Sequence, residues 1–183
     1  QRLKGSSVAF IDMKKREIQS KLVYYGPGRG GKTTNVLHLF KTMSRQVCGK
    51  MVTIDTRGDR TLFFDFLPLS IGKIMNLNIR IQVYTVPGQV LYNDTRKLVL
   101  RGVDGVVFVA DSLRIQQQQN IDSLINLEEN LREEKLSIRT VPLVFQYNKI
   151  DLAETSIPTL TVEELQNDLN KNHQLPYFPA SAL

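Results

Sequence analysis

A single cysteine, Cys48, excludes an internal disulfide, and two isolated histidines, His38 and His173, give no metal-ligand spacing. No apolar run approaches the ~20 residues needed to span a bilayer. Internal repeats and long linkers are also missing, so 183 residues that are 42% apolar read as one domain, residues 1–183, with ample core. No secretory leader precedes it, although the chain begins at Gln1 and not at Met, as a trimmed chain would. The cytoplasm is the consistent compartment. The net charge of +6 and pI near 9.5 raise nucleic acid or an anionic membrane as partners. Lys14-Lys15-Arg16 is the only run of three basic residues, however, and no aromatics interleave it. A solvated turn between a strand over residues 8–11 and the first core strand explains it, and no nucleic-acid partner is expected.

What the sequence does contain is Gly26-Pro27-Gly28-Arg29-Gly30-Gly31-Lys32-Thr33, directly after the apolar Leu22-Val23-Tyr24-Tyr25. This is the GxxxxGK[ST] phosphate loop in a strand-to-helix setting. Its glycines let backbone N–H groups converge on an anion. Lys32 supplies a point charge for β and γ phosphates, Thr33 a hydroxyl for Mg²⁺, and Thr34 reaches toward the α phosphate. Arg29 is open to two readings, phosphate contact or solvent, and solvent is the plainer one. Residues 34–44 carry Val36, Leu37, Phe40 and Met43 at helical spacing, which turns a positive helix end toward the phosphates.

The loop does not distinguish adenine from guanine; Asn148-Lys149-Ile150-Asp151 does. It follows an apolar strand, residues 141–147, and so falls at a strand's C-terminal end, where open α/β sheets bind ligands. In an NKxD arrangement the Asp151 carboxylate accepts from guanine N1–H and N2–H₂, Asn148 bonds N7, and the Lys149 stem covers the ring. Adenine lacks both donors and would leave the carboxylate unpaired, a mismatch that can cost ~10⁴-fold in selectivity. Alone the four letters are a weak signal. About 115 residues after a phosphate loop they are a strong one.

These motifs resemble those of the Ras-like small GTPases, and the middle of the chain narrows the resemblance. The segments 59–68, 84–89 and 102–111 are similar to those of the MglA group of bacterial GTPases, which set cell polarity and motility, and the likeness runs from about Ile18 to Leu183. The fold it implies is an α/β P-loop domain with a mostly parallel central sheet, one antiparallel hairpin and flanking helices. It also implies that Ser181-Ala182-Leu183 closes the base pocket, that the ligands are GTP or GDP with Mg²⁺, and that the usual final helix is missing, together with any targeting signal it would carry. The expected activity is a GTPase switch whose hydrolysis a roadblock-type homodimer of the MglB kind stimulates. Recruitment to a cell pole would then run through partners, with effectors unspecified.

One departure from the Ras pattern bears on mechanism. Most small GTPases carry Asp-x-x-Gly at the γ-phosphate sensor; here the run is Thr85-Val86-Pro87-Gly88, as in MglA proteins. Gly88 still offers a backbone N–H, but the carboxylate that supports Mg²⁺ is absent. Asp65 and Asp59 are both candidates to replace it, and each is equally readable as a solvated loop carboxylate. By the same resemblance Gln89 orients the attacking water, Thr61 contacts Mg²⁺ beside Thr33, and Arg60 matches an arginine finger carried in the same chain. Such a finger is worth ~10³-fold or more. The polar segments 53–61 and 89–96 flank the phosphate site as order-disorder switches do, which suggests that Arg60 and Gln89 await alignment by a partner. The alternative is a nucleotide-gated binding module that hydrolyses negligibly because Thr85 weakens Mg²⁺ support.

The remaining elements follow from periodicity. Residues 62–67 and 79–86 read as the two strands of the hairpin; residues 106–110 and 141–147 read as buried parallel strands. Ile121, Leu124, Ile125, Leu127 and Leu131 mark an amphipathic helix. Thr161-Val162-Glu163-Glu164 is a capping box opening another, with Val162, Leu165 and Leu169 inward.

Overall fold

A computed structural model describes residues 9–43, 47–55 and 63–182. Asp59, Arg60, Thr61 and Leu183 therefore lie outside the described residues. The strands are β1 (Phe10–Asp12), β2 (Glu17–Tyr25), β3 (Val52–Asp55), β4 (Phe63–Ile74), β5 (Leu77–Thr85), β6 (Gly105–Asp111), β7 (Leu143–Asn148) and β8 (Tyr177–Ala180); the helices are α1 (Lys32–Thr42), α2 (Asn93–Leu100), α3 (Gln117–Glu133) and α4 (Val162–Leu165). They build a sheet in the order β3-β4-β5-β2-β6-β7-β8. β5, β2, β6, β7 and β8 run parallel; β3, β4 and β5 pair antiparallel, and β1 pairs antiparallel with the first part of β2.

Continuous β-branched and aromatic runs explain the centre. In β6 six of seven residues are buried, as expected of a strand covered on both faces. The hairpin between β4 and β5 turns on Met75 and Asn76, with φ of 47° and 65°. Two consecutive positive φ values make the two-residue turn whose twist suits antiparallel strands. Here no glycine announced it; β4 runs on to Ile74, well past the expected 62–67, and β5 starts at Leu77, ahead of the expected 79–86, so that the strands meet in the closing pair Ile74↔Leu77.

The larger core packs Val106, Phe108, Phe145 and Tyr147 of the sheet against Val99 and Leu100 of α2, Leu124, Leu127 and Leu131 of α3, and Leu165 of α4. A smaller one on α1 gathers Val36, Leu67, Leu69 and Val83. The helical spacing of α1 overstates its buried face, since Leu37 and Phe40 are 38% and 41% exposed, and the helix ends at Thr42 because Met43 turns extended. Ile125 of α3 likewise faces solvent at 50% exposure. The capping box is formed: Glu164 N–H donates to Thr161 Oγ1 at 3.1 Å, and Thr161 N–H to Glu164 Oε2 at 2.8 Å. Among the described residues, no helix is long and apolar enough to cross a membrane, and no cluster of three or more His, Cys, Asp or Glu could hold a metal.

Burial decides what truncation costs along α3. Leu127→Ala, at 0% exposure, is expected to lower unfolding free energy by about 2–5 kcal/mol. Ile125→Ala, two residues away, should cost under about 1 kcal/mol. Urea denaturation of both variants checks the assignment of faces.

Candidate functional site

β2 is flanked by β5 and β6 in the middle of the parallel sheet, and the chain leaving its C-terminal end at Tyr25 forms the phosphate loop before entering α1. Gly31 closes that loop at φ 97°, a left-handed conformation, and a Cβ there would lie 2.1 Å from Asn148 Nδ2. Glycine is thus required twice over, for its backbone and for its lack of bulk. The first turn of α1 contains no acidic residue, so its unpaired N–H groups and dipole favour an anion.

Lys32 is buried, and its Nζ donates to the carbonyls of Gly26 and Pro27 at 3.0 and 2.6 Å. Loss of hydration, reinforced by the nearby Arg96 cation and only partly offset by Asp65, pulls its ammonium down to about 7. Around it opens a cavity of about 650 Å³ lined by Gly28, Arg29, Gly31, Lys32, Thr33, Thr34, Asp65, Thr85, Val86, Pro87, Gly88, Gln89 and Tyr92. Among the described residues the cavity wall carries a single carboxylate beside this buried cation, which leaves the site short of negative charge.

That carboxylate is held on purpose-built donors. Thr33 Oγ1 donates to Asp65 Oδ2 at 2.6 Å, and Thr85 Oγ1 donates to the same oxygen at 2.9 Å. The Asp65 backbone N–H in turn donates to Thr85 Oγ1 at 2.8 Å. Of the two candidate carboxylates, Asp65 is 4% exposed and in the cavity wall; Asp59 is outside the described residues. Gly88 packs so tightly that a Cβ on it would lie 2.3 Å from Gly28 Cα. Gln89 and Arg29 are exposed at the rim.

The NKxD residues sit at the ends of two neighbouring strands. Asn148, last in β7, pairs in register with Ala180, last in β8, so Ser181 and Ala182 follow alongside Lys149. Asn148 Nδ2 donates to the Gly30 carbonyl at 2.9 Å, joining this region to the phosphate loop, while its Oδ1 is buried without a hydrogen-bond partner. Lys149 adopts φ 68°, and its Nζ pairs with the fully buried Asp111. Asp151 and Ser181 are exposed and Ala182 is half-buried. None of Lys149, Asp151, Ser181 and Ala182 lines the phosphate cavity.

Two residues escaped the sequence reading. Asp111, the last residue of β6, positions Lys149 and receives the Leu113 N–H at 3.0 Å. Its position on a strand end level with NKxD was the available signal. Arg96 belongs to a segment that reads as polar and exposed, yet it is 0% exposed. Nothing in its neighbours in sequence signals that, because its partners come from three other places in the chain, at Tyr25 and Gly26, at Pro87 and Gly88, and at Asn126. At Gly31, Gly31→Ala combines about 1–3 kcal/mol of backbone strain with displacement of Asn148. Calorimetric titration with a nucleoside triphosphate should show affinity reduced at least ~10-fold.

The profile of the ADP-ribosylation factor family matches residues 7–183. The chain is also 47% identical over 175 residues to the mutual gliding-motility protein MglA of Myxococcus xanthus (strain DK1622), an alignment covering 96% of this chain and 87% of that protein. The chain therefore belongs to the ADP-ribosylation factor family of Ras-like small GTPases, as an MglA-type GTPase.

Proposed function

We propose that this single-domain GTPase is a molecular switch for bacterial polarity or motility, acting in the cytoplasm or at a cell pole and reset by hydrolysis that a roadblock-type homodimer stimulates. The observation that carries the switch reading is the cavity in which the phosphate loop, Gly88 and Gln89 share one wall. The likeness to the gliding-motility protein supports the cellular role and the choice of partner. No transmembrane helix among the described residues enters the reading, and neither does nucleic acid.

In this reading Gly28, Gly30, Gly31, Lys32 and Thr34 hold the phosphates, with Arg29 at the rim. Asn148, Lys149 and Asp151 take guanine, and backbone groups of Ser181, Ala182 and Leu183 close over it. The Thr33 hydroxyl and the Asp65 carboxylate are hard oxygen donors side by side, and they suit Mg²⁺; Thr33 and Thr61 would ligate it, with Asp65 supporting. Bound there, the ion neutralises charge on the phosphate oxygens. Gln89 orients the attacking water and Gly88 N–H faces the γ phosphate. Arg60 supplies positive charge as hydrolysis proceeds. Asp65 provides the support that Thr85 cannot, which favours hydrolysis over a binding module without turnover.

The test is turnover of GTP and ATP in Mg²⁺ for the wild type, Gln89→Ala and Arg60→Ala, with and without a roadblock-type dimer. GTP turnover should rise with the dimer, fall by ~10²-fold or more in either variant, and exceed ATP turnover by a wide margin. Equal use of ATP would contradict the base assignment. Stimulation unchanged in Arg60→Ala would show that the activating arginine comes from elsewhere.

A further inference from the structure

Arg96 is a fully buried cation of α2 with no carboxylate among its partners in the described residues. Its Nε donates to the Pro87 carbonyl at 2.9 Å, one terminal nitrogen donates to the Gly88 carbonyl and, at 3.4 Å, to that of Gly26, and the other donates to Asn126 Oδ1 at 2.7 Å. The guanidinium carbon lies 4.9 Å from the centre of the Tyr25 ring. Burying a charge against dipoles alone is costly, and a planar fork with five donors in fixed directions can hold successive carbonyls in a set mutual orientation. Asn126 is itself fixed. It donates to Asn93 Oδ1 at 2.9 Å, and Tyr25 and Asn130 hydrogen-bond to it in turn. A polar network therefore joins the start of α2, the middle of α3 and the end of β2.

The stereochemistry of the peptide gives this cage a consequence. In a trans peptide the carbonyl and the following N–H point in opposite directions. Fixing the Pro87 carbonyl on Arg96 fixes the direction of the Gly88 N–H, and fixing the Gly88 carbonyl does the same for Gln89 N–H. Pro87, Gly88 and Gln89 line the phosphate cavity. Gly88 is wedged against Gly28, which leaves that stretch of backbone little room to rotate.

We propose that Arg96 is a positioning residue for recognition of the terminal phosphate: by gripping the Pro87 and Gly88 carbonyls it presents the Gly88 and Gln89 N–H groups to a triphosphate, and through Asn126 it ties that presentation to the seating of α2 on α3. The inference rests on the GTPase reading and adds to it the origin of GTP-over-GDP preference. A diphosphate lacks the terminal phosphate those two N–H groups would meet, so loss of the Arg96 fork falls chiefly on the triphosphate.

Arg96→Lys keeps the charge but loses the rigid planar fork whose Nε and terminal nitrogen hold the Pro87 and Gly88 carbonyls in fixed directions. Affinities for GDP and for a non-hydrolysable GTP analogue, measured by calorimetry on the whole chain in Mg²⁺, should separate. The analogue binds at least ~10-fold more weakly and GDP changes by less than about twofold, with the same melting temperature for the two GDP complexes to within a few degrees. Equal weakening of both ligands, or of neither, overturns the role of Arg96. If Arg96→Lys does not fold, Asn126→Ala carries the same test with about a threefold selective loss, and a non-selective or absent effect again overturns it. A wild type that binds neither nucleotide would overturn the GTPase reading instead, so the two failures are distinguishable.

Discussion

Buried positive charge around the phosphate loop is the constraint on which the rest of the site depends. Lys32 and Arg96 are both withdrawn from water, burial lowers the pKa of each, and among the described residues the wall of the phosphate cavity carries one carboxylate, Asp65. Backbone carbonyls satisfy the donors of both cations without neutralising them. Such a site gains from an anion with several oxygens, and the helix end of α1 adds to the same attraction. Anion binding here relieves a cost already present in the free protein.

The sheet turns that attraction into selectivity. Parallel pairing of β2 with β5 and β6 brings the phosphate loop beside Thr85-Gly88, and the pairing of β6, β7 and β8 lines up Asp111, Asn148 and Ala180 on one rim. Antiparallel pairing of β4 with β5 sets Asp65 one step beyond the partners Phe66↔Tyr84, next to Thr85. In the proposed reading this carboxylate, one strand across the sheet, serves in place of one at the end of β5, and the Thr85 hydroxyl hydrogen-bonds to it. The two positions act as a pair.

How much of this was legible in the sequence depended on how local the chemistry was. The phosphate loop, the NKxD run and the Thr161 capping box are set by residues within a few positions of each other, and each stands where the sequence placed it. The family resemblance implied the α/β class, and hydrophobic period marked the two strands of the hairpin. The turn at Met75 and Asn76 and the exposure of Leu37, Phe40 and Ile125 were not legible, because propensity and period say nothing about which neighbour is present to cover a side chain. Arg96 was the least legible. A polar residue in a polar segment predicts solvent, and only assembly of β2, α2, α3 and the turn at Pro87 creates the carbonyl cage that holds it.

The most direct test of the account is the Mg²⁺ dependence of GDP release in Asp65→Ala, compared with the double exchange Asp65→Thr with Thr85→Asp. If Asp65 is the displaced carboxylate, Asp65→Ala releases GDP at least ~10-fold faster in millimolar Mg²⁺ and loses most of the slowing that Mg²⁺ causes, and the double exchange recovers it. Release from Asp65→Ala that keeps the wild-type rate and Mg²⁺ dependence would contradict the account.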